Sequence, residues 1–253
     1  MASNKEFEIE SQGNRLFGRL FFPDSFDEGR SYPAVIISHG FGSCMEDVVE
    51  NVWAFIELGY IAAVFDFCMS GDRCRSTGDS TRMTLLTQKQ DLFNVMDYLR
   101  TLGFIDSITL TGCSQGGLVS ALAAAEREKE VERLVLYFPA LCIPDHLRSG
   151  RVHTVTFDKE HLPETVMTQC MELGQDFLRV GMALDPYEQI CRYKKPVFIV
   201  HGLEDGLVPI EYSRRAAKLY PDCTLAEIHG GHGFSPSELE EAQKALREFL
   251  LKN

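Results

Sequence analysis

Ile108-Thr109-Leu110-Thr111-Gly112-Cys113-Ser114-Gln115-Gly116-Gly117-Leu118 decides the fold. A short apolar run ends in Gly-x-Ser-x-Gly, and an Ala-rich helical pattern, Leu118 to Glu130, begins at once. The spacing predicts a strand, a tight turn and a helix, with the serine hydroxyl projecting at the carboxyl end of a sheet. The glycines suit a turn where side chains would strike neighbouring backbone. The helix start adds unpaired N–H groups and the positive end of its dipole.

Similar apolar runs lie on both sides. Pro33–Ser38, Ile61–Phe65, Leu134–Phe138 and Val197–Val200 read as strands buried on both faces; Thr224–Ile228 is also predicted to be a strand. Helical patterns separate them: Glu46–Leu58, Arg82–Leu102 with Leu85, Leu92, Val95, Met96 and Leu99 on one stripe, Glu211–Tyr220 and Pro236–Leu251. Ser235-Pro236 and an acidic first turn open the last helix. At the start, Phe7–Glu10 and Arg15–Phe22 alternate and predict an antiparallel hairpin. Strand–helix alternation means an α/β protein with a mostly parallel sheet, helices on both faces.

Residues 141–193 break the alternation. That stretch is too long for an ordinary loop, and it reads as an inserted cap on a core of residues 1–140 and 194–253. Arg151–Phe157 predicts a small hairpin inside it and Glu164–Met182 a helix.

A serine nucleophile needs a base, and the base needs an orienting carboxylate. In this topology they follow in the order serine, acid, histidine. His201-Gly202-Leu203-Glu204-Asp205 comes after the strand Val197–Val200, so Asp205 reaches the same sheet end as Ser114, with Glu204 as its neighbouring alternative. His229-Gly230-Gly231-His232-Gly233 follows the next strand; glycines on both sides let His232 reach across, with His229 as the alternate. No third ligand accompanies the two histidines, so neither a metal nor a cofactor is expected. Ser38-His39-Gly40-Phe41-Gly42 supplies the remaining element: the backbone N–H groups of Phe41 and Gln115 are the candidate oxyanion donors. Cys113 lies one residue before the serine and is expected to pack rather than attack.

Charge narrows the partners. The 253 residues hold 25 Lys+Arg against 37 Asp+Glu, a net −12, with no basic run. Nucleic acid and anionic membrane surfaces are therefore unsuited partners. The region 141–193 carries 5 Lys/Arg and 8 Asp/Glu, so the acidity is spread along the chain. No apolar stretch is long enough to span a membrane. The first residues lack the apolar run of a secretory signal, which predicts a cytoplasmic protein. Eight cysteines without a CxxC pair read as free thiols.

Together, in this order, these elements resemble the α/β-hydrolase family over nearly the whole chain, and within it the small bacterial cinnamoyl and feruloyl esterases. His39-Gly40-Phe41, Gly112-x-Ser114-Gln115-Gly116-Gly117, Phe138-Pro139-Ala140, Asp185-Pro186-Tyr187-Glu188 and His201-Gly202-x-x-Asp205 carry the likeness. The resemblance implies an eight-stranded sheet and a serine esterase acting on small esters of hydroxycinnamic acids, with the cap roofing an apolar slot. It implies substrate contacts at Asp145, matched to an acidic position, and at Phe177. The latter stands where relatives have a tyrosine, and phenylalanine cannot make that residue's hydrogen bond. After Asp66-Phe67 the chain also departs from the relatives' Gly-His-Gly-rich loop, reading Cys68-Met69-Ser70-Gly71-Asp72-Arg73. Lipase or thioesterase activity, small-peptide hydrolysis and a ligand-binding role without turnover remain open at this level. So does the oligomeric state, a homodimer included.

Overall fold

The computed structural model describes residues 3–253. The chain opens with β1 (Asn4–Ser11) and β2 (Asn14–Phe21), continues through β3 (Tyr32–Ser38), the short helix α1 (Trp53–Ile56) and β4 (Ile61–Phe65), and then α2 (Leu85–Thr101). The nucleophile region follows as β5 (Ile105–Cys113), α3 (Gln115–Glu126) and β6 (Arg133–Tyr137). Residues 141–193 hold α4 (Ile143–Arg148), a hairpin of β7 (Arg151–Val152) and β8 (Val155–Thr156), and a second of β9 (Thr165–Met167) and β10 (Glu172–Gly174). Helices α5 (Gln175–Ala183) and α6 (Pro186–Ile190) lead back to β11 (Val197–Gly202), α7 (Glu211–Ala217), β12 (Cys223–Ile228) and α8 (Pro236–Lys252).

Eight strands form one sheet in the order β1-β2-β4-β3-β5-β6-β11-β12. Only the pairings of β2, with β1 and with β4, are antiparallel. The expected mostly parallel α/β sheet is what forms. The apolar runs are buried on both faces because helices cover both. Leu92, Val95 and Leu99 of α2 and Leu118 and Leu122 of α3 pack one side with Ile36 and Leu110. Phe55 of α1 and Leu246 and Phe249 of α8 pack the other with Val35, Ile37 and Phe198. Side chains alternate across a strand, so Ile36 and its neighbours Val35 and Ile37 serve opposite layers.

The order in which strands are added reverses at β3, which lies between its parallel neighbours β4 and β5. Loops leaving β3 and β5 therefore part at their carboxyl ends and leave a crevice, where ligands bind in open parallel sheets.

Two helical expectations change. Glu46–Leu58 is not one α-helix: Met45–Val52 is a 3₁₀ stretch and only Trp53–Ile56 is α-helical. The Val48-Val49 pair and the buried Asn51 favour the tighter turn here, with Asn51 Nδ2 donating back to the Val48 carbonyl. Glu164–Met182 is helical only from Gln175; its first half is the β9–β10 hairpin. Thr165-Val166 is β-branched and suits a strand, while Gly174 packs against the Thr81 carbonyl where a Cβ would not fit.

Candidate active site

Ser114 sits between β5 and α3 with φ 54° and ψ −119°, a strained left-handed conformation for a residue with a side chain. Three backbone bonds fix it: its N–H donates to Tyr137 O (3.0 Å), while its carbonyl accepts from the Ala140 N–H (2.9 Å) and the Leu118 N–H (3.2 Å). Close packing makes the turn possible. A Cβ on Gly116 would lie 2.3 Å from the His39 carbonyl oxygen, and one on Gly40 would lie 3.2 Å from Ser114 Cβ.

The carboxyl ends of β11 and β12 bring the other two groups to this turn. His232 Nε2 is 3.0 Å from Ser114 Oγ, and His232 Nδ1 is 2.8 Å from Asp205 Oδ2. A carboxylate only accepts, so Nδ1 carries the proton and Nε2 presents its lone pair to the serine. Asp205 Oδ1 accepts from the Leu207 and Val208 N–H groups at 2.9 and 2.8 Å. Burial opposes its ionisation, but the hydrogen bonds from His201, His232 and Val208 outweigh burial and hold its pKa well below the usual carboxylate range. Asp205 is therefore a charged acceptor for His232 at any pH where the histidine works.

The alternates are occupied elsewhere. Glu204 binds the Gly230 N–H (2.7 Å) and His229 Nδ1 (2.9 Å), closing the loop on its exposed side. Cys113 points into the layer shared with Tyr137 and accepts a weak bond from Asn51 Nδ2 at 3.9 Å. Burial pushes its thiol up to about 12.

Phe41 lies in the loop after β3 and Gln115 follows Ser114 after β5, and the two loops meet where Gly40 approaches Ser114. Gln115 is the first residue of α3, where a helix leaves the backbone N–H unpaired. Its side chain donates to Gln88 Oε1 (2.8 Å), and Gln88 donates to Ser70 Oγ (3.3 Å), so a buried amide chain steadies this peptide. Phe41 N–H makes no hydrogen bond among the described residues. His39 holds that loop: Nδ1 donates to the Gly40 carbonyl (2.8 Å) and Nε2 accepts from the Phe67 N–H (3.1 Å). His39, Asp66 and Cys74 cluster closely enough to invite a metal. Their donors are already spent: the Asp66 oxygens accept the Met45 and Arg75 N–H groups at 2.7 Å each. The cluster is scaffold for the loop.

A cavity of about 250 Å³ opens at Ser114 beneath residues 141–193. Phe41, Ile143, Leu147, Val152 and Phe177 give it apolar walls. Phe177 is thus in the lining. Asp145 is not. Its carboxylate accepts from Tyr212 Oη (3.0 Å) and pairs with Arg148 (2.8 Å) on the outer side of α4. Helical spacing explains this: Cys142 and His146, and Ile143 and Leu147, are four apart on the inner face, which leaves Asp145 outside. His146, Arg151 and His153 supply the polar wall instead. Burial lowers the pKa of both histidines, helped by Arg151 at His146 and by His232 and then Arg151 at His153. No sequence motif marks these three; only the helix and hairpin geometry brings them to the site.

The family described as serine aminopeptidase, S33, matches residues 29–173. The chain belongs to the α/β-hydrolase family. This α/β-hydrolase is a serine hydrolase, and its structure is esterase-like. Est1E from Butyrivibrio proteoclasticus with ferulic acid bound is 31% identical, covers 97% of this chain and 98% of its own, and superposes with a TM-score of 0.91. A second structure of Est1E gives 30% identity, 98% coverage of each chain and a TM-score of 0.87. An uncharacterized protein of Escherichia coli strain K12, YcjY, is 26% identical over 113 residues, 43% of this chain. The match spans 36% of YcjY's length. No helix among the described residues is long and apolar enough to cross a membrane.

Proposed function

We propose that this α/β-hydrolase cleaves carboxylic esters through an acyl-enzyme, with Ser114 as nucleophile, His232 as base and Asp205 as its orienting acid. The Ser114–His232–Asp205 chain of 3.0 and 2.8 Å carries the reading. Ser114 Oγ attacks the ester carbonyl as His232 Nε2 takes its proton, and Asp205 stabilises the imidazolium. The Phe41 and Gln115 N–H groups receive the oxyanion. His232 then protonates the departing alkoxide. Water, deprotonated by the same nitrogen, releases the acid.

For the acyl group we propose a hydroxycinnamate. The cavity beneath residues 141–193, which we read as an inserted cap, has apolar walls and is bounded by the Phe41 and Phe177 rings, 6.5 Å apart. His146, Arg151 and His153 offer donors to a ring hydroxyl or methoxyl, the part Asp145 was expected to play. The likeness to Est1E, a structure holding ferulic acid, supports the same assignment. The eight free cysteines favour a reducing compartment, the cytoplasm.

Methyl ferulate, methyl p-coumarate, 4-nitrophenyl acetate and longer 4-nitrophenyl esters form the test. The hydroxycinnamates should give the highest kcat/KM, and Ser114→Ala should lower it by about 10⁴-fold or more in folded protein. Undiminished turnover by that variant would overturn the mechanism. A monotonic preference for long acyl chains would overturn the hydroxycinnamate assignment and favour a lipase.

A further inference from the structure

A second cavity, of about 640 Å³, meets the first at Ser114 and His232. An ester has two ends, and its carbonyl carbon must sit at Ser114 Oγ, so the two ends extend into the two cavities. The second runs along the loop leaving His232, past Gly233 and Phe234 to the start of α8.

The cavities differ in charge. The first contains Arg151 and no carboxylate; the second contains Asp47, Glu50 and Glu240 and, among the described residues, no lysine or arginine. Arg73 neutralises Asp47 at 2.8 Å, whereas Glu50 and Glu240 pair with no cation among the described residues. Inside the rim, Trp53, Phe138 and Phe234 present aromatic surface. Two lining residues carry unspent buried acceptors. The Tyr137 side chain is 1% exposed and Asn51 7%, and neither Tyr137 Oη nor Asn51 Oδ1 has a hydrogen-bond partner among the described residues. Aromatic faces, amide and phenol oxygens and unpaired carboxylates all favour a cation, and an N–H⁺ group could also satisfy an orphaned acceptor.

Resting on the ester-hydrolase reading, we propose that this cavity is the alcohol subsite and that it selects leaving groups bearing a protonated amine. On acylation the Ser114 Oγ–carbonyl bond forms, the carbonyl–alkoxide bond breaks, and the serine proton passes through His232 to the alkoxide, which departs as the free amino alcohol.

The 2-(dimethylamino)ethyl and 3-methylbutyl esters of one acid differ only in the charged nitrogen. Each pair is compared for ferulate and for butyrate, so that the ratio within a pair is independent of acyl preference. The amino ester should be favoured about 10-fold in kcat/KM, and a Glu50→Gln/Glu240→Gln double variant should lose most of that preference. Trp53, the single tryptophan of the chain, lines the cavity and gives a readout that needs no turnover. Its fluorescence should respond saturably to 2-(dimethylamino)ethanol, about 10-fold more weakly in the double variant, and not to 3-methylbutanol at equal concentration. A ratio near one within both pairs, or one unchanged in the double variant, overturns the alcohol-end assignment. Identical titrations with the two alcohols, or none that saturates, overturn the cation site. Should no ester be turned over at all, the ester-hydrolase reading fails, and the titration still decides whether the cavity binds the cation.

Discussion

His201 Nε2 lies 3.2 Å from Asp205 Oδ2, the same oxygen that receives His232 Nδ1. Both side chains of the His201–Asp205 pair are fully buried. His201 Nε2 also meets the Val208 carbonyl at 2.8 Å, and because a carbonyl only accepts, this nitrogen carries the proton. Ser213 Oγ lies 2.7 Å from Nδ1, on the other side of the ring. Buried His201 thus holds Asp205 through the same oxygen that His232 binds. Losing one hydrogen bond to a charged acceptor costs about 1.5–3 kcal/mol, roughly 10- to 100-fold in rate if it falls on the transition state. His201→Ala should lower kcat by that factor with KM nearly unchanged. His201→Gln, which can present an N–H to Asp205, should recover part of it. A loss confined to KM, or no loss in the alanine variant, would contradict the positioning role.

Asp205 and Glu204 are adjacent carboxylates with different work, and substitution should separate them. Asp205→Asn keeps the shape but removes the charge and disturbs the His232 tautomer, so kcat should fall by on the order of 10⁴-fold. Glu204→Gln loses part of an exposed loop contact to His229 and the Gly230 N–H, and kcat should change less than about threefold. Steady-state kinetics on one ester settles both.

The contrast shows how far the sequence could be read. Ser114, Asp205 and His232 were legible because parallel strands deliver their following loops to one edge, so position after a strand translates into position in space. The central parallel strands were legible from short apolar runs, and β1 and β2 from their alternation. The wall of the first cavity was not. Whether Asp145 or His146 faces inward depends on where α4 begins, and a shift of one residue rotates a helix by about 100°. Thr165-Val166 and Leu173 formed a hairpin inside a stretch read as helix, because three-residue strands leave almost no period. Tyr137 and Asn51 lie far apart in sequence, and nothing in their neighbours marks them as sharing a cavity.

Cys113 should be chemically quiet beside a reactive serine. Burial pushes its thiol up to about 12, so almost no thiolate exists at neutral pH. Brief iodoacetamide treatment should leave ester turnover intact, and Cys113→Ala should keep kcat within about threefold while lowering the melting temperature by a few degrees through the small void it leaves. Mass spectrometry of the peptide containing Ser114 would report modification directly. Rapid alkylation of Cys113 with loss of activity would show the thiol to be exposed to the site.

Asp91 gives a pH signature unrelated to catalysis. Its carboxyl group is fully buried in α2, where Oδ2 accepts the Cys68 N–H at 2.8 Å and Oδ1 accepts from Ser11 and Gln12. Desolvation outweighs these bonds and raises its pKa to about 6. Between about pH 4, where the group titrates in the unfolded chain, and about pH 6, the folded protein binds the proton more tightly than the unfolded chain does. The stabilisation from that proton is complete below about pH 4 and is lost as pH rises through about 6. Asn at this position cannot titrate, so other groups cancel in a comparison with Asp91→Asn. In urea unfolding, the stability of the wild type relative to this variant should be greater at pH 4.5 than at pH 7, by roughly 1–3 kcal/mol. A difference that stays constant across the range would show that Asp91 is ionised in the fold despite its burial.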